Sequence, residues 1–126
     1  MLKINEKIRP RFGEVWMCHL TDKGGSVQSG YRPVFILSNN QNNTYSSTLN
    51  VIPITSKMNK RKLPVHVELW NYAICGLKTP STMMVEQTTT VSIESLERKI
   101  GAISDHAILT SIGRAIIVQF PIFAGC

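Results

Sequence analysis

The chain alternates between short apolar runs and polar breaks rich in glycine or asparagine, and only near its end does the spacing lengthen to that of a helix. Gly13 to Leu20 mixes β-branched, aromatic and polar residues after a Pro/Arg-rich start, which predicts a strand with Val15, Met17 and His19 on one face. Thr21 to Gly30 holds Gly24, Gly25 and Gly30 with two serines and reads as a loop. Arg32 to Ser38 is almost continuously apolar, as a strand buried on both faces would be, with Pro33 expected at its first turn or on an edge. Asn39 to Ser47 predicts a turn or short helix. Leu49 to Thr55 gives a third strand in which Pro53 marks an edge or bulge, and Pro64 to Trp70 a fourth with Val65, Val67 and Leu69 in alternation. Thr82 to Ser92, dense in Thr and Val, reads as a fifth strand, and Lys99 to Ser104 as a short sixth. There the period changes. Ser104 or Asp105 caps a helix to about Phe120, with Ile108, Ile112, Ala115, Ile116 and Gln119 on one stripe and Arg114 opposite.

Strands first and a helix last, joined by short connections, predict a mainly β, α+β fold: a strongly curved antiparallel sheet or small barrel with the helix packed on it. A length of 126 residues, 43% of them hydrophobic, fits one domain over residues 1–126, with 1–10 as a flexible or extended N-terminal segment. The alternation of charged and apolar residues from Met1 to Phe12 is not that of a secretory signal. Ala115 to Ala124, the longest apolar stretch, is interrupted by Gln119 and Pro121 and too short to span a bilayer, so a soluble protein with no membrane partner is expected. Cys18, Cys75 and Cys126 lie far apart without the spacing of a zinc site, which points to reduced thiols and a cytoplasmic location.

Charge narrows the partners. A formal charge of +6 favours a polyanion such as nucleic acid or an acidic protein, although solubility alone explains it equally well. No HExxH, phosphate-binding loop or useful carboxylate pair is present, so neither a metal nor a cofactor is expected. His19, His66 and His106 are scattered, with no partner indicated for any of them, and read as structural rather than as general bases. Metal-free cleavage of RNA would need positive charge around a phosphorane-like transition state, which the planar guanidinium fork of arginine supplies. Arg32 is the best-placed candidate, between a Gly/Ser loop and a buried strand, but taken alone it also reads as an ordinary surface arginine.

The ordered motifs add more. Gly13-Glu14-Val15-Trp16 followed by Gly25-Ser26-Val27-Gln28-Ser29-Gly30-Tyr31-Arg32-Pro33-Val34 resembles the opening of MazF/PemK toxins. The similarity continues through Ser38-Asn39-Asn40 with Asn43, Ile52-Pro53-Ile54-Thr55-Ser56, Leu63-Pro64-Val65-His66-Val67-Glu68 and Val85-Glu86-Gln87, and ends near Arg98 to Ile103. The resemblance implies an SH3-like, CcdB/PemK-like barrel with a C-terminal helix. It also implies a homodimer and an endoribonuclease that leaves a 2′,3′-cyclic phosphate and a 5′-hydroxyl on single-stranded RNA. Arg32 and Thr55 fall on the family's catalytic positions, and Ser26, Gln28, Ser56 and Gln87 on positions lining its RNA groove, with Lys57 within reach of phosphates. An acidic, MazE-like antitoxin is implied, and through the antitoxin complex a contact with operator DNA. Val27 stands where the family usually has Glu and Thr89 where it has Arg, departures expected to change rate and substrate preference. A non-catalytic gyrase inhibitor of the CcdB kind and a passive nucleic-acid-binding barrel are the competing readings, and neither requires the Arg32/Thr55 pair.

Overall fold

The computed structural model describes residues 9–21, 24–25, 27–58 and 62–122. Most of the expected N-terminal segment, Ser26 of the expected groove, Lys60, Arg61 and Cys126 lie outside the described residues. The elements, in chain order, are β1 (Glu14–Leu20), β2 (Gly30–Ile36), α1 (Asn40–Tyr45), β3 (Thr48–Thr55), β4 (His66–Leu69), β5 (Ser81–Met84), β6 (Thr89–Ser92), β7 (Leu96–Ala102) and α2 (His106–Gln119). Short 3₁₀ turns occupy Tyr72–Cys75, Val85–Gln87 and Ile93–Ser95. The seven strands form one antiparallel sheet in the order β4-β5-β3-β2-β1-β7, with β6 branching from β3. Curved but not closed, the sheet leaves β4, β6 and β7 each with a single strand partner among the described residues.

The central strands are apolar because both of their faces are covered. Val15, Phe35, Ile52 and Ile54 point into one core with Val67, Leu69, Met83, Val85 and residues Ile112 and Ala115 of α2. Their neighbours in sequence, Trp16, Cys18, Val34, Ile36 and Val51, point into a second core with Ile93 and Leu96. Period-two alternation thus sorts one strand between two cores. Helix α2 begins where its cap predicts: Asp105 accepts a hydrogen bond from the Ile108 amide at 3.0 Å. Its buried Ile112 and Ala115, with Ile108, Leu109 and Ile116 packed beside them, reproduce the expected stripe.

Both strand prolines sit where a ladder hydrogen bond is not needed. Pro33 pairs with Met17 of β1, but β2 meets β3 only from Val34 onward, so the β3 side of Pro33 is locally an edge. Along β3, Thr48 to Val51 pair with β6, whereas Ile54 and Thr55 pair with β5. Pro53 lies in the gap where the strand changes partner. That change breaks the predicted fifth strand in two, because the chain crosses the gap through the turn Val85–Gln87. The Val65 carbonyl pins the Val85 amide at 3.0 Å, and the Thr88 hydroxyl closes the turn onto the Val85 carbonyl at 2.6 Å.

Strand β7 starts three residues earlier than the sequence pattern predicts. Leu96 is buried in the second core and pairs with Cys18, while Glu97, Arg98 and Lys99 are the exposed charges that an edge strand tolerates. The turn Tyr72–Cys75 docks on this strand through glycine alone: a Cβ on Gly76, which has φ +80°, would collide with the Ile100 carbonyl, and one on Gly101 with the Cys75 carbonyl. The backbone contact carries Leu77, Lys78 and Thr79 alongside β7.

Candidate nucleic-acid cleft

One face of β1 and β2 runs from the core to the surface in paired steps. Val15 lies opposite Phe35 in the core, Met17 opposite Pro33, and His19 opposite Tyr31 at the exposed end. Where this face leaves the core it floors a cleft of about 540 Å³, walled by Ile54 and Ser56 of β3 and its exit, by Lys78 from the glycine-docked turn, and by Arg98 and Lys99 of β7. Arg32 lines it too. The Arg32 Nε donates to the Ser29 carbonyl at 2.6 Å, fixing the stem while the two terminal nitrogens have no partner among the described residues. Such a guanidinium can grip two oxygens of one phosphate.

The cleft cations are not equivalent. The Lys99 ammonium is 3.0 Å from Glu14, whose carboxylate also accepts from the Arg11 amide at 2.8 Å and the Trp16 indole at 3.0 Å. Burial alone would raise the Glu14 carboxyl, but the indole, the Arg11 backbone and Lys99 together bring it below the usual carboxylate range. Lys78 has no ion pair among the described residues. Arg32 and Lys78 are therefore the cleft charges without a carboxylate partner among the described residues, while Arg98 also acts on Tyr31 and Glu97.

A second cleft, of about 200 Å³, lies on the other side of the His19–Tyr31 pair. Gln28, Gln87, Thr89, Thr90, Ser92 and Ser95 line it, with Val27 and Pro53. The Gln28 amide donates to Oε1 of Gln87 at 3.3 Å, so loop and turn are joined. The expected site residues are thus divided. Arg32 and Ser56 share the cationic cleft, and Gln28 and Gln87 share the amide-lined one. Thr55 is buried, pairs with Thr82 across to β5, and accepts a 3.2 Å hydrogen bond from the Lys57 amide. Lys57 itself is exposed.

Two of the three histidines have carboxylate partners that the sequence did not indicate. His66 Nε2 lies 2.8 Å from Glu86 with its imidazole only 5% exposed, tying β4 to the turn that carries Gln87. His19 Nε2 lies 3.2 Å from Glu97, and its imidazole is 63% exposed. Both carboxylates come from distant sequence, so no local pattern announces them. Lys78, Arg98 and Lys99 escaped sequence reasoning for the same reason. Cys18 and Cys75 are buried, and burial pushes the Cys18 thiol up to about 11 and raises that of Cys75, so neither offers a thiolate near neutrality. Among the described residues, no three of His, Cys, Asp and Glu converge as metal ligands, and no helix is long and apolar enough to cross a membrane.

A small curled β-sheet packed with a C-terminal helix thus carries both a cationic cleft and an amide-lined one. Residues 11–120 match the family model described as PemK-like, MazF-like toxin of type II toxin-antitoxin system, and the chain belongs to that family. It is 38% identical over 95 residues to Endoribonuclease MazF of Staphylococcus saprophyticus subsp. saprophyticus, covering 75% of this chain and 78% of that one. Among solved structures it is similar to Mycobacterium tuberculosis toxin MazF-mt6, with a TM-score of 0.71 at 25% identity over 86% of this chain and 96% of that one. A MazE-MazF structure from Deinococcus radiodurans shares the fold, with a TM-score of 0.69 at 19% identity over 92% of this chain and 99% of that chain.

Proposed function

We propose that this chain is a metal-independent endoribonuclease, the toxin of a toxin–antitoxin pair, which cuts single-stranded RNA to a 2′,3′-cyclic phosphate and a 5′-hydroxyl. The observation that carries the reading is Arg32: a guanidinium held by its Nε at 2.6 Å, with its terminal nitrogens left for a phosphate in a cleft that also holds Lys78 and Arg98. In the reaction the ribose 2′-oxygen bonds to the neighbouring phosphorus, the bond to the 5′-oxygen breaks, the 2′-proton departs and the 5′-oxygen gains one. Arg32 neutralises the charge that accumulates on the phosphate oxygens between these events. Thr55 follows as the donor that orients the phosphate. Its oxygen already accepts from the Lys57 amide, which leaves the hydroxyl proton to give, and its neighbour Ser56 lines the cleft. Gln28, Gln87 and Ser26 contact bases or sugars, and Ser56 and Lys57 the backbone.

The relative from Staphylococcus saprophyticus is named an endoribonuclease, and the Deinococcus radiodurans structure pairs MazF with MazE. An acidic antitoxin segment lying across the free cations of the cleft, in competition with RNA, fits both that pairing and a charge of +6. The same reading takes the chain as a single cytoplasmic domain that works as a homodimer and reaches operator DNA through its antitoxin. Purified protein is expected to cleave single-stranded RNA in EDTA, with Arg32→Ala slowing it at least about a hundredfold. Cleavage abolished by EDTA and indifferent to Arg32→Ala would overturn the proposal.

A further inference from the structure

Two aromatic rings stand on the ridge between the clefts, and no step of the chemistry above uses them. His19 and Tyr31 are directly opposed across β1 and β2, with ring centroids 4.7 Å apart and planes tilted by 38°. One carboxylate holds both: Tyr31 Oη donates to Glu97 Oε1 at 2.6 Å, and His19 Nε2 lies 3.2 Å from Glu97 Oε2. The Glu97 bond raises the Tyr31 phenol above its ordinary range, and the phenol and imidazole together lower the Glu97 carboxyl. Even so the rings remain in water, with Tyr31 42% and the His19 imidazole 63% exposed. Tyr31 lines the cationic cleft beside Arg32, and His19 lines the amide-lined cleft with Gln28 and Gln87.

We infer that Tyr31 and His19 form a stacking platform for one nucleobase of single-stranded RNA, the base adjoining the phosphate gripped by Arg32. This rests on the ribonuclease reading and extends it to a base subsite. A splayed base needs a π-face to stack on, charge for its phosphate and polar groups for its edge. The ridge supplies the first, and the clefts on its two flanks supply the others. Glu97 acts as a positioning residue: it fixes the tilt of both rings, so that ordering them does not have to accompany binding. A cross-strand aromatic pair serving only the sheet would act on stability and be indifferent to the base above it.

The test uses the full chain and an RNA oligonucleotide it cleaves, carrying a 2′-deoxy sugar at the mapped cleavage position so that it binds uncut. Versions lacking one base at a time are compared by fluorescence anisotropy. One abasic position beside the scissile phosphate is expected to weaken binding roughly tenfold. Tyr31→Leu is expected to remove that dependence at that position alone, and Tyr31→Phe to retain it. His19→Ala, at an exposed position, should reduce the same dependence and serves should Tyr31→Leu fail to fold. Glu97→Gln, which keeps an acceptor for the phenol, should preserve more of it than Glu97→Ala. An abasic profile unchanged in both Tyr31→Leu and His19→Ala, or lowered equally at every position, overturns the platform while cleavage by the unmutated protein leaves the ribonuclease reading standing. Failure of the unmutated protein to cleave any RNA overturns both.

Discussion

The cleft that holds Arg32, Lys78 and Arg98 and the cleft that holds Gln28, Gln87 and Thr89 flank one aromatic ridge, yet they are built from opposite chemistry. The first is set apart by fixed positive charges, drawn from β2, the glycine-docked turn and β7, beside hydroxyls such as Ser56 and Thr79. The second gathers amides and hydroxyls that both donate and accept, drawn from the loop before β2, the turn Val85–Gln87 and β6. Charge attracts every phosphate alike, whereas amides and hydroxyls discriminate among base edges. On the proposed ribonuclease reading, strength of attraction and choice of sequence fall to different residues, and each should be alterable without the other.

The largest test of this division is Arg32→Ala, which should cut the cleavage rate by about 10² or more at an unchanged melting temperature, since the guanidinium stem makes a single protein hydrogen bond. Next, Lys78→Ala and Arg98→Ala should each weaken RNA binding by a similar factor for every sequence. Each should also lower the salt dependence of log K by about 0.7 for every phosphate left without its cation, read from binding isotherms at several salt concentrations. A change in cleaved sequence from either substitution would break the comparison. Gln87→Ala should leave total cleavage within a few-fold of the parent while redistributing the cut sites, read by mapping 5′-hydroxyl ends in a mixed RNA pool. A uniform loss there would erase the distinction between the clefts.

The smallest effect concerns pH. The Glu14 carboxyl is depressed in the folded protein, so the unfolded chain binds more protons as the solution is acidified. The stability contributed by the carboxylate that holds Lys99 and the Trp16 indole is complete above the ordinary carboxylate range and is lost as pH falls through the depressed value. Glu14→Gln should lower the melting temperature at neutrality by a few degrees and flatten its decline in acid, as followed by circular dichroism. A decline just as steep in Glu14→Gln would assign acid sensitivity to other groups.

Much of this architecture is legible in local pattern. Alternation and short apolar runs located β1 to β4, and Asp105 with the stripe through Ile112 and Ala115 located α2, because cap and stripe are both set within a few residues. The break between β5 and β6 is not legible, since Thr82 to Ser92 is composed of strand formers throughout and is interrupted by a neighbour, at the gap in pairing around Pro53. The early start of β7 was hidden by the charges of Glu97, Arg98 and Lys99, which an edge strand holds in solvent. The same holds for the site. Arg32 stands in a recognisable motif, whereas Lys78 reaches the cleft only because Gly76 lets its turn touch β7, and the histidine partners lie 20 residues from His66 and 78 from His19.

Strand β1 pairs on one edge with its neighbour in sequence, β2, and on the other with the distant β7. During synthesis a chain that has emerged only as far as Leu96 carries Arg32 without Arg98, Lys99 or the Glu97 clip, and without α2 to cover one of its cores. Contacts of such long sequence separation form late. The cationic cleft accordingly cannot exist before β7 has been made, and a ribosome that stops short of β7 releases a product without it. For a toxin, the order of the strands is itself a safeguard in time: a chain that lacks β7 has Arg32 but no cleft around it.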